Sequence, residues 1–204
     1  MQIVVGLGNP GPAYADTRHN LGFQVLDTVA RRYGLQYSLV SGLYEWARWR
    51  RPAATCVLLK PLTYMNLSGR ALVAWARRNA VALPGPAAGG GLTPVVVCDD
   101  LALPLGALRI RPSGSDGGQK GLASVIQALG SQEFARIRLG IAPRRGPVAA
   151  PEWSDYVLQP FTQDEIPLAR ELVDRAAAAL ICLLDVGPEA AAARFNRRES
   201  PKLD

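Results

Sequence analysis

Hydrophobic and polar positions along the chain lay out strands and helices in alternation. Ile3, Val4 and Val5 form a short apolar run of the kind buried strands carry, ended by Gly6. Over residues 20–33 the spacing becomes helical, with Leu21, Val25, Leu26, Val29 and Tyr33 on one face and Gly34 as a stop. Residues 44–50 alternate as a strand, and 54–60 read as its more buried neighbour across an Arg51-Pro52 turn. A helix follows over about 67–78, and 95–98 read as a short buried strand ending at Asp99-Asp100. Arg109-Ile110-Arg111 looks like a strand edge, 121–129 a helix, and Phe134 to Ile141 a strand carrying Arg136 and Arg138 on one face. A long amphipathic helix over 163–185 and a last one through Phe195 flank Gly187-Pro188. Two segments break the pattern: 79–94, rich in Pro, Gly and Ala and expected as an exposed linker, and 143–155, expected as a loop. The order predicts an α/β fold: a single domain over 1–204, with a twisted mixed β-sheet flanked by helices.

Composition narrows the setting. Hydrophobic residues make up 49% of 204 and charged residues 20%, ordinary for a globular domain with a sizeable core. A net charge of +6 favours an anionic partner, which by itself is weak guidance. Cys56, Cys98 and Cys182 are unclustered and each sits in an apolar run, against a disulfide framework or a zinc site. No apolar run approaches the roughly 20 residues that span a membrane, and Met1 leads straight into a strand with no signal-peptide pattern. The expectation is a cytoplasmic protein that does not engage membranes.

The chemistry concentrates in residues 3–22, where a strand end opens into a loop holding Asn9, Thr17, Arg18, His19 and Asn20. His19 is the only histidine, hence the one side chain whose ordinary titration suits acid–base work near neutrality. It lies at or just before a helix N-terminus, where the dipole favours the neutral, proton-accepting ring. Gly6-Leu-Gly8-Asn-Pro-Gly11 matches a dinucleotide-binding pattern, but Pro10 and Pro12 favour extended structure and helical spacing begins only near Leu21. Asp99-Asp100 at a strand end suits a metal, a partner for histidine, or a plain turn. Asn66 either caps the helix after it or serves a site. Gly114 to Gly121 form a glycine-rich loop before a helix, a place to receive phosphate or carbonyl oxygen or an ordinary linker. Arg109, Arg111, Arg136 and Arg138 form either a solvated face or a phosphate patch. No Gly-x-Ser-x-Gly elbow occurs and the cysteines sit in apolar runs, which leaves water as the nucleophile.

Three segments carry a family resemblance. Gly6-Leu-Gly-Asn-Pro-Gly11 with Tyr14 and Thr17-Arg-His-Asn20, Lys60-Pro-Leu-Thr-Tyr-Met-Asn-Leu-Ser-Gly69, and Asp99-Asp-Leu-Ala-Leu-Pro-Leu-Gly106 together resemble the bacterial-type peptidyl-tRNA hydrolases, in that family's order. The resemblance implies hydrolysis of the ester between a peptide and the 3′-terminal ribose of tRNA, by a monomer, with no cofactor and no metal. His19 and Asp99 would be catalytic, and Asn9, Tyr14, Met65, Asn66 and Lys120 would contact substrate. Arg111 and Arg138 would hold the tRNA's terminal phosphate, and 143–155 match the family's lid in position. Where the family reads Gly-Gly-His-Asn-Gly, this chain has Gln119-Lys120 between the glycines. That departure favours the rival expectation of an RNA-binding relative without catalysis. Retention of Asn9, His19, Asn66 and Asp99 favours the enzyme.

Overall fold

The computed structural model describes residues 1–84, 91–143 and 152–196. Seven strands, β1 (Gln2–Gly6), β2 (Ser38–Val40), β3 (Tyr44–Arg50), β4 (Thr55–Pro61), β5 (Pro94–Pro104), β6 (Leu108–Arg111) and β7 (Arg136–Ala142), form one sheet in the order β2-β3-β4-β1-β5-β7-β6. The middle four, β4, β1, β5 and β7, run parallel, and the outer strands are antiparallel to their neighbours. The helices are α1 (Leu21–Arg32), α2 (Ser68–Arg78), α3 (Lys120–Leu129), α4 (Trp153–Val157), α5 (Ile166–Val186) and α6 (Pro188–Phe195).

β1 is apolar throughout because both its faces are covered. Val4 joins the cluster formed with α1 and α5, while Ile3 and Val5 join the cluster formed with α2 and α3. The chain leaves β1 through α1 on one face and leaves β4, on one side of β1, through α2 on the other, arriving at β5 on β1's far side. Crossovers that diverge in this way open a crevice at the carboxyl ends of the strands.

The glycines that mimic a dinucleotide motif serve packing. A Cβ on Gly6 would lie 2.5 Å from the carbonyl oxygen of Gly22, and one on Gly8 would lie 2.7 Å from the Phe23 ring. Gly22 in turn packs against the backbone of Leu7 and lies where a Cβ would come 2.5 Å from Val97 O. α1 therefore lies directly on the ends of β1 and β5, and it starts at Leu21 rather than among the glycines.

Several boundaries differ from the sequence expectation. β5 continues through Asp99-Asp100 to Pro104, with a register shift between Asp100 and Pro104, so the acid pair lies within a strand rather than a turn. β2 was not foreseen: it is three residues on an exposed edge, too short for alternation to register. Tyr33 is 43% exposed and rests on Trp49, with ring centroids 4.3 Å apart, instead of entering the core. Of the 79–94 linker, Val81, Leu83 and Leu92 pack on the α2–α3 cluster and Pro94 begins β5, so its ends belong to the fold. Residues 85–90 and 144–151 lie outside the described residues, and α4 occupies part of the span expected as a loop. On the opposite edge, the Asn196 side chain accepts from Ile110 N (2.6 Å) and donates to Ile110 O (3.0 Å), pairing with β6 as a strand would.

Replacing Gly22 by Ala forces a Cβ into backbone atoms that have no rotamer by which to yield. Gly22→Ala is expected to lower unfolding free energy by about 1–3 kcal/mol or more, read as a lower urea midpoint at unchanged m-value; an unchanged midpoint would show that α1 can lift off the sheet at no cost.

Candidate active site

His19 occupies a single 3-10 turn, Arg18–Asn20, directly ahead of α1. Its neighbours pin that turn from both sides. Arg18 is 3% exposed, and its guanidinium donates to Gln159 O (3.2 Å), Pro160 O (2.8 Å) and Glu165 Oε2 (2.6 Å) while lying over the Tyr156 ring. The Asn20 side chain accepts from Asn9 N (2.8 Å) and donates to Asn9 O (3.0 Å), locking the loop after β1 to the start of α1. A histidine between two such anchors has little freedom to swing.

From there, His19 Nδ1 lies 2.8 Å from Asp99 Oδ2. The other oxygen of Asp99 accepts from Gln119 Nε2 at 2.8 Å, and Gln119 Oε1 accepts from Leu122 N at 2.8 Å, capping α3. Successive residues of a strand project to opposite faces, and Asp100 turns away to meet Arg138, with Oδ2 3.0 Å from Nε. The two neighbouring acids thus have different partners: the imidazole for Asp99 and a guanidinium for Asp100.

These groups open on a cleft of about 890 Å³ at the carboxyl ends of the strands. Asn9, Tyr14, His19, Met65, Asn66, Asp99 and Lys120 all line it. Asn9 Oδ1 accepts from Met65 N at 2.9 Å, so the amide nitrogen is the end without a hydrogen-bond partner among the described residues. Asn66 sits exposed in a 3-10 turn, Met65–Leu67, and is not the cap of α2, whose N-cap position is Leu67. Met65 is buried, and its sulfur packs where only a glycine at position 121 leaves room. Leu101, Val157 and Leu158 add an apolar wall.

The arginines divide. Arg136 is 1% exposed and donates to the carbonyls of Gly114, Ser115, Gln132 and Phe134, tying the glycine-rich loop to β7; burial lowers its pKa by disfavouring the charge. Arg138 is held by Asp100 and by Asp116 O (3.3 Å) beside the cleft. Arg111 is exposed on the edge strand opposite Arg136 and does not line the cleft. Sequence reasoning missed Gln119 as a partner of Asp99, and it missed Tyr64, 63% exposed on the cleft rim. The position of Gln119 just before a helical pattern was the available signal, since helix caps sit there.

Among the described residues, no group of three or more His, Cys, Asp or Glu converges to hold a metal ion, and no helix is long and apolar enough to cross a membrane. Burial pushes the Cys56 thiol up to about 12 and raises that of Cys98 further. Both therefore stay protonated through the neutral range and cannot serve as thiolates.

Taken together, these elements form an α/β domain whose cleft holds one imidazole–carboxylate pair. Comparison with known proteins gives the family: the model described as peptidyl-tRNA hydrolase matches residues 3–202. A peptidyl-tRNA hydrolase of Symbiobacterium thermophilum is 44% identical over 199 residues, covering 96% of this chain and 98% of that protein. One from Chlorobium phaeobacteroides is 41% identical, covering 97% and 98%. The crystal structure of peptidyl-tRNA hydrolase from Acinetobacter baumannii superposes with a TM-score of 0.82 at 28% identity, covering 96% of this chain and 94% of that one. The chain belongs to the peptidyl-tRNA hydrolase family.

Native protein treated with iodoacetamide near neutral pH is expected to be modified at Cys182 at most, with Cys56 and Cys98 reacting only after unfolding. Mass spectrometry of the alkylated peptides checks this, and labelling of Cys98 in the folded state would contradict its burial.

Proposed function

We propose that this chain hydrolyses the ester joining a peptide to the 3′-terminal ribose of tRNA, by water that His19, oriented by Asp99, activates. The observation that carries the reading is the 2.8 Å contact between His19 Nδ1 and Asp99 in the floor of an open cleft. With Nδ1 donating to the carboxylate, Nε2 is the basic nitrogen and takes the proton from the attacking water. Asp99 then stabilises the imidazolium that forms. The free amide nitrogen of Asn9 and the exposed amide of Asn66 donate to the ester carbonyl or to the peptide, where an oxyanion develops. Tyr14 and Met65 shape the wall. Lys120, exposed at the N-terminus of α3, meets the tRNA backbone as a compact cation. Arg111 and Arg138 extend the contact to phosphate, Arg138 from a position set by Asp100. The protein acts as a monomer in the cytoplasm.

The rival reading, an RNA binder without catalysis, drew its support from the altered Gln119-Lys120 pair. Gln119 bonds Asp99 directly, so the departure feeds the imidazole–carboxylate pair instead of dismantling it.

Ester release from purified peptidyl-tRNA tests the proposal. His19→Ala is expected to lower kcat by about 10²- to 10⁴-fold, the usual contribution of a general base, with circular dichroism and tRNA affinity unchanged. Asp99→Asn should cost far more turnover than Asp100→Asn. A folded His19→Ala protein with near-normal turnover would end the reading, and a more damaging Asp100 change would reassign the carboxylate.

If exposed arginines hold phosphates, tRNA binding is expected to weaken with salt by about 0.7–0.9 logarithmic units per decade for each phosphate neutralised. Arg111→Ala should make that dependence shallower without touching kcat. Filter binding across a salt series reads the slope, and an unchanged slope removes Arg111 from the tRNA contact.

A further inference from the structure

Gln119 is 8% exposed, and its amide is engaged at both ends. Which end is the oxygen follows from the chemistry of its partners. The backbone N–H of Leu122 is a donor and nothing else, so the amide atom facing it at 2.8 Å must be the oxygen. The atom facing Asp99 Oδ1 at 2.8 Å is then the NH₂ group, which can only donate; the same nitrogen lies 3.4 Å from the Met65 sulfur, a further weak acceptor. Asp99 thereby accepts at Oδ1 and presents Oδ2 to His19 as a second acceptor. A carboxylate oxygen at Nδ1 selects the imidazole tautomer that carries its proton there.

We propose that Gln119 is a positioning residue that fixes the tautomer of His19: the Leu122 backbone N–H orients the Gln119 amide, the amide orients Asp99, and Asp99 holds the proton on Nδ1 so that Nε2 stays free to act. This rests on the reading of His19 as general base. An imidazole at position 119, as in the family's usual Gly-Gly-His-Asn-Gly, can present either a donor or an acceptor to Asp99, whereas an amide already tied to a backbone N–H can only donate. His19 is the only imidazole in the chain. The wrong tautomer is costly for a base of this kind, since its lone pair then points at the carboxylate instead of at water.

Two substitutions separate this role from helix capping. Gln119→Ser keeps an oxygen that can cap α3 but is too short to reach Asp99. Gln119→Met keeps the length and loses both the donor and the cap. Because His19 is the only histidine, ¹⁵N NMR of protein labelled at histidine and carrying no histidine tag reads its tautomer directly, with no substrate present. Wild type is expected to show the Nδ1–H form. Both variants are expected to show a mixture with the Nε2–H form, and kcat on peptidyl-tRNA is expected to fall about tenfold or more with KM within about twofold, the pattern of an interaction lost in the transition state. Retention of the Nδ1–H form in a folded Gln119→Ser protein overturns the proposal, whatever happens to activity. So does an effect confined to Gln119→Met, which would assign Gln119 to capping alone. Failure of the hydrolase reading would look different: the tautomer shifts as expected, while even the wild type releases no peptide.

Discussion

A carboxylate withdrawn from water sets the terms for this site. Asp99 is 2% exposed within a central strand, and a buried carboxylate costs several kcal/mol unless hydrogen bonds replace the lost water. Its replacements come from the two opposite faces of the sheet: His19 from the turn that begins α1, and Gln119 from the residue that caps α3. The placement of the two helix starts is therefore part of the site's electrostatics. Glycines set both. Gly22 lets α1 rest against the backbone at the ends of β1 and β5, and Gly121 leaves α3 room above the Met65 sulfur. A side chain at either place would displace one of the two groups that make the buried charge tolerable.

Several of the basic residues have a similar internal use. Arg18 clamps the turn before His19, Arg136 stitches the glycine-rich loop to β7, Arg51 pairs with Asp185, and Lys60 bridges Asp27 and Glu45. These cations stabilise the fold and are not available to an anionic ligand in their present geometry. Lys120, by contrast, is exposed and lines the cleft. A charge count cannot make this distinction, because a guanidinium bonded to carbonyls and one open to solvent contribute equally to it.

Most of the scaffold was legible in the sequence because its elements are built on local periodicity. The α1 stripe, the β3–β4 hairpin, α2 and α3 were all recognisable from spacing and breakers within a dozen residues. β5 was expected to be shorter because two aspartates break an apolar run, although a strand that opens on a cleft tolerates charge. The loop after β1 was visible as a concentration of chemistry, and the resemblance supplied roles for its residues. What spacing could not reveal were pairings between distant positions: Arg18 with Glu165, Arg138 with Asp100 across the β5–β7 pair, and Gln119 with Asp99. A glutamine in a glycine-rich loop carries no local mark that its amide will be aimed at a carboxylate twenty residues earlier. That direction exists only once α3 has docked.

The Asn196 amide paired with Ile110 has a bearing on the protein's solubility. An open sheet edge offers unpaired N–H and C=O groups to any extended chain that passes, including a second copy of itself. In the middle of β6, one side chain from the end of α6 satisfies both groups of a central residue and stands where the next strand would have to lie. A two-ended amide thus works as a stopper that limits the sheet to seven strands, and a chain ending before Asn196 would leave that edge open to strand addition and aggregation.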